Sequence, residues 1–182
     1  MTKLPSRYSL FLVVSLVILV VDQATKIFIM HTMRLHESIP IIPGYFHLTY
    51  IRNPGAAFGI FASSSSAFRL VFFVITTMIA LGLLGIIFYR LHIDDRWGQL
   101  TIASIVGGAI GNLLDRLRFG EVIDFLDVHV NGYHWPAFNV ADSAISIGVV
   151  SLLILFAVEK KHHKESPPSS SSPSETLQPK VD

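Results

Sequence analysis

Four stretches of this chain are long and apolar enough to cross a bilayer, and no other feature restricts its fold as much. They run from about Tyr8 to Met30, Leu70 to Tyr89, Trp97 to Leu114 and Phe138 to Val158. A helix over the last of them is about 32 Å long, close to the thickness of the hydrocarbon layer. Backbone amides cannot be left unpaired in hydrocarbon, so such stretches are read as helices. A chain with 51% hydrophobic and 15% charged side chains suits that environment better than a soluble one. The expected fold class is a mainly α membrane protein, with four transmembrane helices and a small β platform in the extracytoplasmic loops.

Charge sets the expected orientation. Lys3, Arg7, Arg90, Arg96, Lys160, Lys161 and Lys164 fall on one side of a four-span bundle, and Arg34, Arg52, Arg69, Arg116 and Arg118 on the other. The tight cluster after the fourth span favours cytoplasmic termini under the positive-inside rule. Lys3 and Arg7 before an apolar run also suit a signal peptide. No small-x-small cleavage site follows, however, and apolarity resumes at Ile27, so the segment reads as an uncleaved first span. Residues 1–159 are expected to form one membrane domain. Residues 160–182 lack any core-forming pattern and read as a disordered cytoplasmic tail.

The two long loops must hold the non-helical structure. "YFHLTYI" is strand-like, and "VIDFLDVHVNGYHWPAF" places β-rich flanks around Asn131-Gly132, a type I′ hairpin signal. The Gly, Ala and Ser content of residues 54–69 suits a mobile lid. In the third span Ala103, Gly107 and Gly111 recur every four residues, which lets a neighbouring helix approach closely. Gly108 and Asn112 lie on the adjacent stripe.

The acids are few and clustered. Asp22 ends the core of the first span, Asp115, Asp124 and Asp127 follow the third, and Asp142 opens the fourth. All five are expected near the outer interface, where an ionisable group needs a partner or a function. Asp22 and Lys26 have the spacing of a helix-surface ion pair. Asp115 beside Arg116 suits a solvated pair. Asp142, three residues after Asn139, imitates a capping box at the positive end of a helix. Asp124, between Ile123 and Phe125, has no comparable structural role. If Asp124 and Asp142 meet, they share a proton; one carboxylate can then activate water while the other protonates a peptide carbonyl. On residue types alone, this reading and the structural one both stand.

Other chemistries find less support. Asp124, Asp127, His129, His134 and Asp142 offer metal-ligating atoms, but their spacing matches no standard site and there is no H-E-x-x-H. His129 and His134 read as polar surface residues flanking the hairpin. A proton-coupled carrier would place acids near the midplane of repeated, interrupted helices, and no repeat is visible. "SSSS" at 63–66 has no base beside it. The absence of cysteine removes thiol nucleophiles and thiolate metal sites, and a net charge of +1 gives no reason to expect nucleic acid.

"VVDQATK" (20–26), "RNPGAAFG" (52–59), "GGAIGNLLDRLRFGEVIDFLDV" (107–128) and "FNVADSAI" (138–145) together closely resemble the lipoprotein signal peptidase family, the bacterial signal peptidase II enzymes. The resemblance implies an integral membrane aspartic endopeptidase of the cytoplasmic (inner) membrane. Such an enzyme removes the signal peptide of prolipoproteins, cutting before a diacylglyceryl-modified cysteine at the outer face. By motif position, Asp124 and Asp142 would be the catalytic pair. Asp22, Lys26, Asn53, Asn112, Asp115, Arg116, Asn139 and Ala141 would support the site or bind substrate. The implied partners are diacylglyceryl-modified prolipoproteins and membrane lipids, with no nucleic acid, cofactor or metal, and the protein is expected to be a monomer.

Overall fold

The structure, a computed structural model, describes residues 6–55, 61 and 63–165. Four long helices carry the chain: α1 (Arg7–Thr32), α2 (Ser66–Arg90), α3 (Arg96–Phe119) and α4 (Val140–Glu165). Between them lie four strands: β1 (Ser38–Ile42), β2 (Phe46–Asn53), β3 (Val122–Val130) and β4 (Tyr133–His134). Each helix is long and apolar enough to span a membrane, in α4 over Val140–Val158. The protein is an integral membrane protein of mainly helical class.

The helix starts follow from short polar side chains that accept the first free amides. Ser6 accepts from the Ser9 N–H, Ser65 from Phe68 and Asp95 from Gly98. At the far end of α3, Gly120 adopts φ +74° and its N–H returns to the Arg116 carbonyl, a left-handed C-cap that frees the chain to enter β3.

α3 is the central helix. Over half of its apolar window is buried (56%), against 6% for α2. Its glycines explain the close packing. A Cβ on Gly107 would lie 2.6 Å from the Ser15 carbonyl oxygen of α1, and one on Gly108 2.5 Å from that of Ala141 on α4. Ser15 Oγ donates to the Ala103 carbonyl (2.9 Å), tying α1 to the same stripe. The small-residue spacing therefore serves two neighbours at once.

The strands form one antiparallel sheet in the order β1-β2-β3-β4. The expected hairpin is present: Asn131 (φ +50°) and Gly132 (φ +81°) form the turn between β3 and β4. A bulge between Leu48 and Ile51 shifts the β2–β3 register. Tyr50, Ile123 and Phe125 pack on Ile29 and Met33, seating the sheet on the last turns of α1. At the opposite end of the bundle, Arg7 donates to the Phe88 carbonyl at 2.6 Å and closes the C-terminus of α2.

Some boundaries differ from expectation. α3 continues to Phe119, so Asp115 and Arg116 lie inside the helix rather than after it. α4 continues to Glu165, so residues 160–165 of the expected tail are helical; Glu and Lys readily extend a helix. Residues 166–182 and the centre of the expected lid (56–60 and 62) lie outside the described residues.

Candidate active site

The end of the bundle that carries the sheet holds a cavity of about 640 Å³. Asp124 and Asp142 both line it, together with Asn53, Asn112 and Arg116. The two acids arrive from different elements. Asp124 is the third residue of β3, while Asp142 occupies the first turn of α4.

Asn139 connects them. Its side-chain Nδ2 donates to Asp124 Oδ1 (2.8 Å), and its backbone N–H donates to Asp142 Oδ2 (3.3 Å). Its Oδ1 accepts the Asp142 N–H (2.9 Å), which completes a reciprocal capping box. The structural and functional readings of Asp142 are therefore compatible: the cap fixes the carboxylate that faces the cavity. Asn53 Nδ2 donates to the other oxygen of Asp124 (2.9 Å), and Asn112 Nδ2 donates to Asp142 Oδ1 (2.7 Å). Burial, and then the charge of Asp142, push the Asp124 carboxyl from 3.8 up to about 7.

Behind the cavity lies a buried ionic knot. The Lys26 ammonium donates to Asp22 Oδ2 (2.9 Å), Asp115 Oδ2 (2.8 Å) and Asn112 Oδ1 (2.9 Å). An ammonium has three N–H groups, and all three are used. Lys26, Asp22 and Asp115 are each at most 1% exposed. The two carboxylates also accept from neutral donors: Ala141 N–H to Asp22 Oδ1 (2.9 Å) and Ile123 N–H to Asp115 Oδ2 (3.2 Å). These additional bonds make burial of the charges tolerable. Lys26 occupies the oxygen of the Asn112 amide, so the amide nitrogen must face Asp142.

Two sequence expectations are overturned here. Asp22 and Lys26 do pair, but in the interior rather than on the helix surface, because α3 brings Asp115 and Asn112 over them. Asp115 does not form a solvated pair with Arg116; its partner is Lys26, and it is buried. Arg116 points to the cavity side instead, 4.2 Å above the Phe73 ring of α2, and donates to the Gly55 carbonyl (3.4 Å).

All ten residues singled out in the sequence gather at this end. Asp124, Asp142, Asn53, Asn112 and Arg116 line the cavity; Asp22, Lys26, Asp115, Asn139 and Ala141 lie buried behind it. The sequence reading missed Gln23, whose Nε2 donates to Asp115 Oδ1 (2.9 Å), Asp22 Oδ2 and the Gly111 carbonyl. The available signal was its place inside "VVDQATK", one residue after Asp22. Asp127, His129 and His134 do not line the cavity.

The chain is similar to known proteins over most of its length. A family model described as signal peptidase (SPase) II matches residues 14–158. A protein of Syntrophus aciditrophicus named lipoprotein signal peptidase is 50% identical over 145 residues, covering 80% of this chain and 90% of its own. One of the same name from Geobacter sulfurreducens is 52% identical over 147 residues, covering 81% and 91%. A bacterial membrane enzyme solved by the in meso method superposes with a TM-score of 0.77 at 35% identity, covering 86% of this chain and 92% of that one.

Proposed function

This chain belongs to the signal peptidase II family, and from that premise we propose that it is an aspartic endopeptidase that removes the signal peptides of prolipoproteins. The observation that carries this reading is the convergence of Asp124 and Asp142 on one cavity, with the Asp124 carboxyl raised to about 7. One proton shared by such a pair persists near neutral pH, which leaves one acid and one base side by side.

Hydrolysis then runs without a covalent intermediate. The ionised carboxylate takes a proton from a water molecule as the water oxygen bonds to the scissile carbonyl carbon. The protonated partner gives its proton to the carbonyl oxygen, forming a neutral tetrahedral diol. The first carboxyl next passes its new proton to the peptide nitrogen, and the second recovers one from a diol hydroxyl as the C–N bond breaks. The pair ends with one proton, as it began. Asn53, Asn112 and Asn139 hold the two carboxylates in place, and Arg116 offers a cation to the substrate backbone.

The substrate is a prolipoprotein whose cysteine carries diacylglycerol, cut just before that cysteine. A cavity at one end of four apolar helices supports this choice, since the acyl chains can stay in the bilayer while the peptide reaches the carboxylates. The basic residues flanking the spans favour cytoplasmic termini, and so an active end at the outer face of the cytoplasmic membrane.

The test is substitution of each acid by its isosteric amide. Asp124→Asn and Asp142→Asn, inserted in membranes and melting like the parent protein, are incubated with a diacylglyceryl-modified precursor. Cleavage is expected to vanish in both. Normal turnover by either folded variant overturns the assignment.

A further inference from the structure

A second cluster lies on the sheet, away from the cavity. Side chains alternate between faces along a strand, so Asp124 projects from one face of β3 while Asp127 and His129 project from the other. The register brings a third residue to them, because His47 of β2 sits directly opposite Asp127. One ligand atom from each of His47, Asp127 and His129 lies within 4.8 Å of the other two. His134 of β4 pairs with His129 across the hairpin, and its Nδ1 lies 2.8 Å from Asp127 Oδ1.

The arrangement is unusual for an ordinary polar surface. Asp127 and His129 are buried, at 8% and 7% exposure. The Nδ1 atom of His129 is fully covered and has no hydrogen-bond partner among the described residues. The His47 ring meets His129 edge-on at 4.3 Å, and the His134 ring stacks on it at 4.5 Å. A buried imidazole nitrogen without a partner is costly, and a cation bound by neutral imidazole satisfies it.

We propose that His47, Asp127 and His129 form a binding site for a zinc-class divalent metal ion, on the face of the sheet opposite the aspartate pair. Two imidazoles and one carboxylate are the donor set that zinc and its first-row neighbours accept, with water in the fourth position. Tetrahedral zinc places its ligand atoms about 3.3 Å apart, so the cluster must contract by roughly 1.5 Å at most, within the reach of side-chain rotation. His134 Nδ1 lies 2.8 Å from one Asp127 oxygen and 3.1 Å from the other, the kind of outer partner that orients a ligating group. The ion would join β2 to β3 and stiffen the sheet; it takes no part in the hydrolysis.

The experiment uses the full chain, purified in detergent with an affinity tag free of histidine. Zinc binding is measured by titration against a chromophoric chelator, and cobalt is added separately to read ligand-field absorption in the visible. One equivalent of zinc and a tetrahedral or five-coordinate cobalt spectrum are expected. His47→Gln and His129→Gln should each weaken zinc binding at least about tenfold. Asp142→Asn, which alters the cavity, and a His162→Gln/His163→Gln variant of the C-terminal region should bind as the parent does. Sub-stoichiometric binding by the parent overturns the proposal, as does loss of binding in the Asp142 or His162/His163 variants. If the glutamine variants melt early, the parent's own stoichiometry and cobalt spectrum still decide the matter.

Discussion

Asn139 and Asp124 are joined by a buried 2.8 Å hydrogen bond between a residue that caps a helix and one near the start of a strand. The Asn139 side chain also accepts the Asp142 N–H, and its backbone N–H donates to the Asp142 carboxylate, so a single residue sets the spacing of the two acids. Asn139→Ala should reduce cleavage by about a hundredfold or more, since misplacement of a reacting group by about 1 Å is that costly. Loss of the cap should lower stability by about 1 kcal/mol, and each buried acceptor left unpaired by about 1–3 kcal/mol more. Steady-state kinetics and thermal melting on the same preparation check the two effects separately.

The raised Asp124 carboxyl predicts the pH dependence. Between its ordinary value of 3.8 and about 7, the folded protein keeps a proton there that the unfolded chain has released. The stability linked to that proton is complete below 3.8 and is lost as pH rises through about 7. The shared proton leaves over the same range, so kcat/KM should fall about tenfold per pH unit above it. Asn53 favours the charged form of Asp124 by donating to it. Asn53→Ala should therefore move the alkaline limb to higher pH, which a pH–rate profile will register.

Removing the Lys26 ammonium leaves Asp22 and Asp115 facing each other in the interior without their shared cation. Lys26→Met should destabilise the protein by about 3–5 kcal/mol, the usual cost of breaking a buried pair from one side. Asp22→Asn keeps the shape and some of the hydrogen bonding, and it should show a partial loss of cleavage. Denaturation in micelles, alongside turnover, compares the two.

Helix approach gives a fourth expectation. A methyl group on Gly108 would fall 2.5 Å from the Ala141 carbonyl oxygen, next to Asp142, whereas one on Gly82 of α2 meets nothing within 4 Å. Gly108→Ala should push the start of α4 away and cut kcat at least about tenfold. Gly82→Ala should leave turnover unchanged. Paired kinetic measurements on the two variants isolate the effect of position.

Features carried by local pattern were legible in the sequence. The four spans, the Asn131-Gly132 turn and the Asn139–Asp142 cap each depend on neighbours within a few residues. Motif resemblance brought Asp124 and Asp142 together, which spacing alone left open. What escaped was long-range. Asp22 and Asp115 looked like interfacial groups because nothing local reveals that α3 will cover Lys26. His47 stayed unnoticed because its meeting with Asp127 depends on a strand register interrupted by a bulge.

The Lys26 knot also bears on how the chain is assembled. Its acceptors outside α1 are Asp115 and Asn112, both on α3, which is synthesised two spans later. Until α3 arrives, Asp22 is the acid within α1 that can neutralise the ammonium. The first two spans are therefore provisional lodgers in the bilayer, and the third locks the bundle as it enters. Synthesis halted before Asn112 should yield an unsettled intermediate open to quality-control proteases, even though its apolar spans are already threaded.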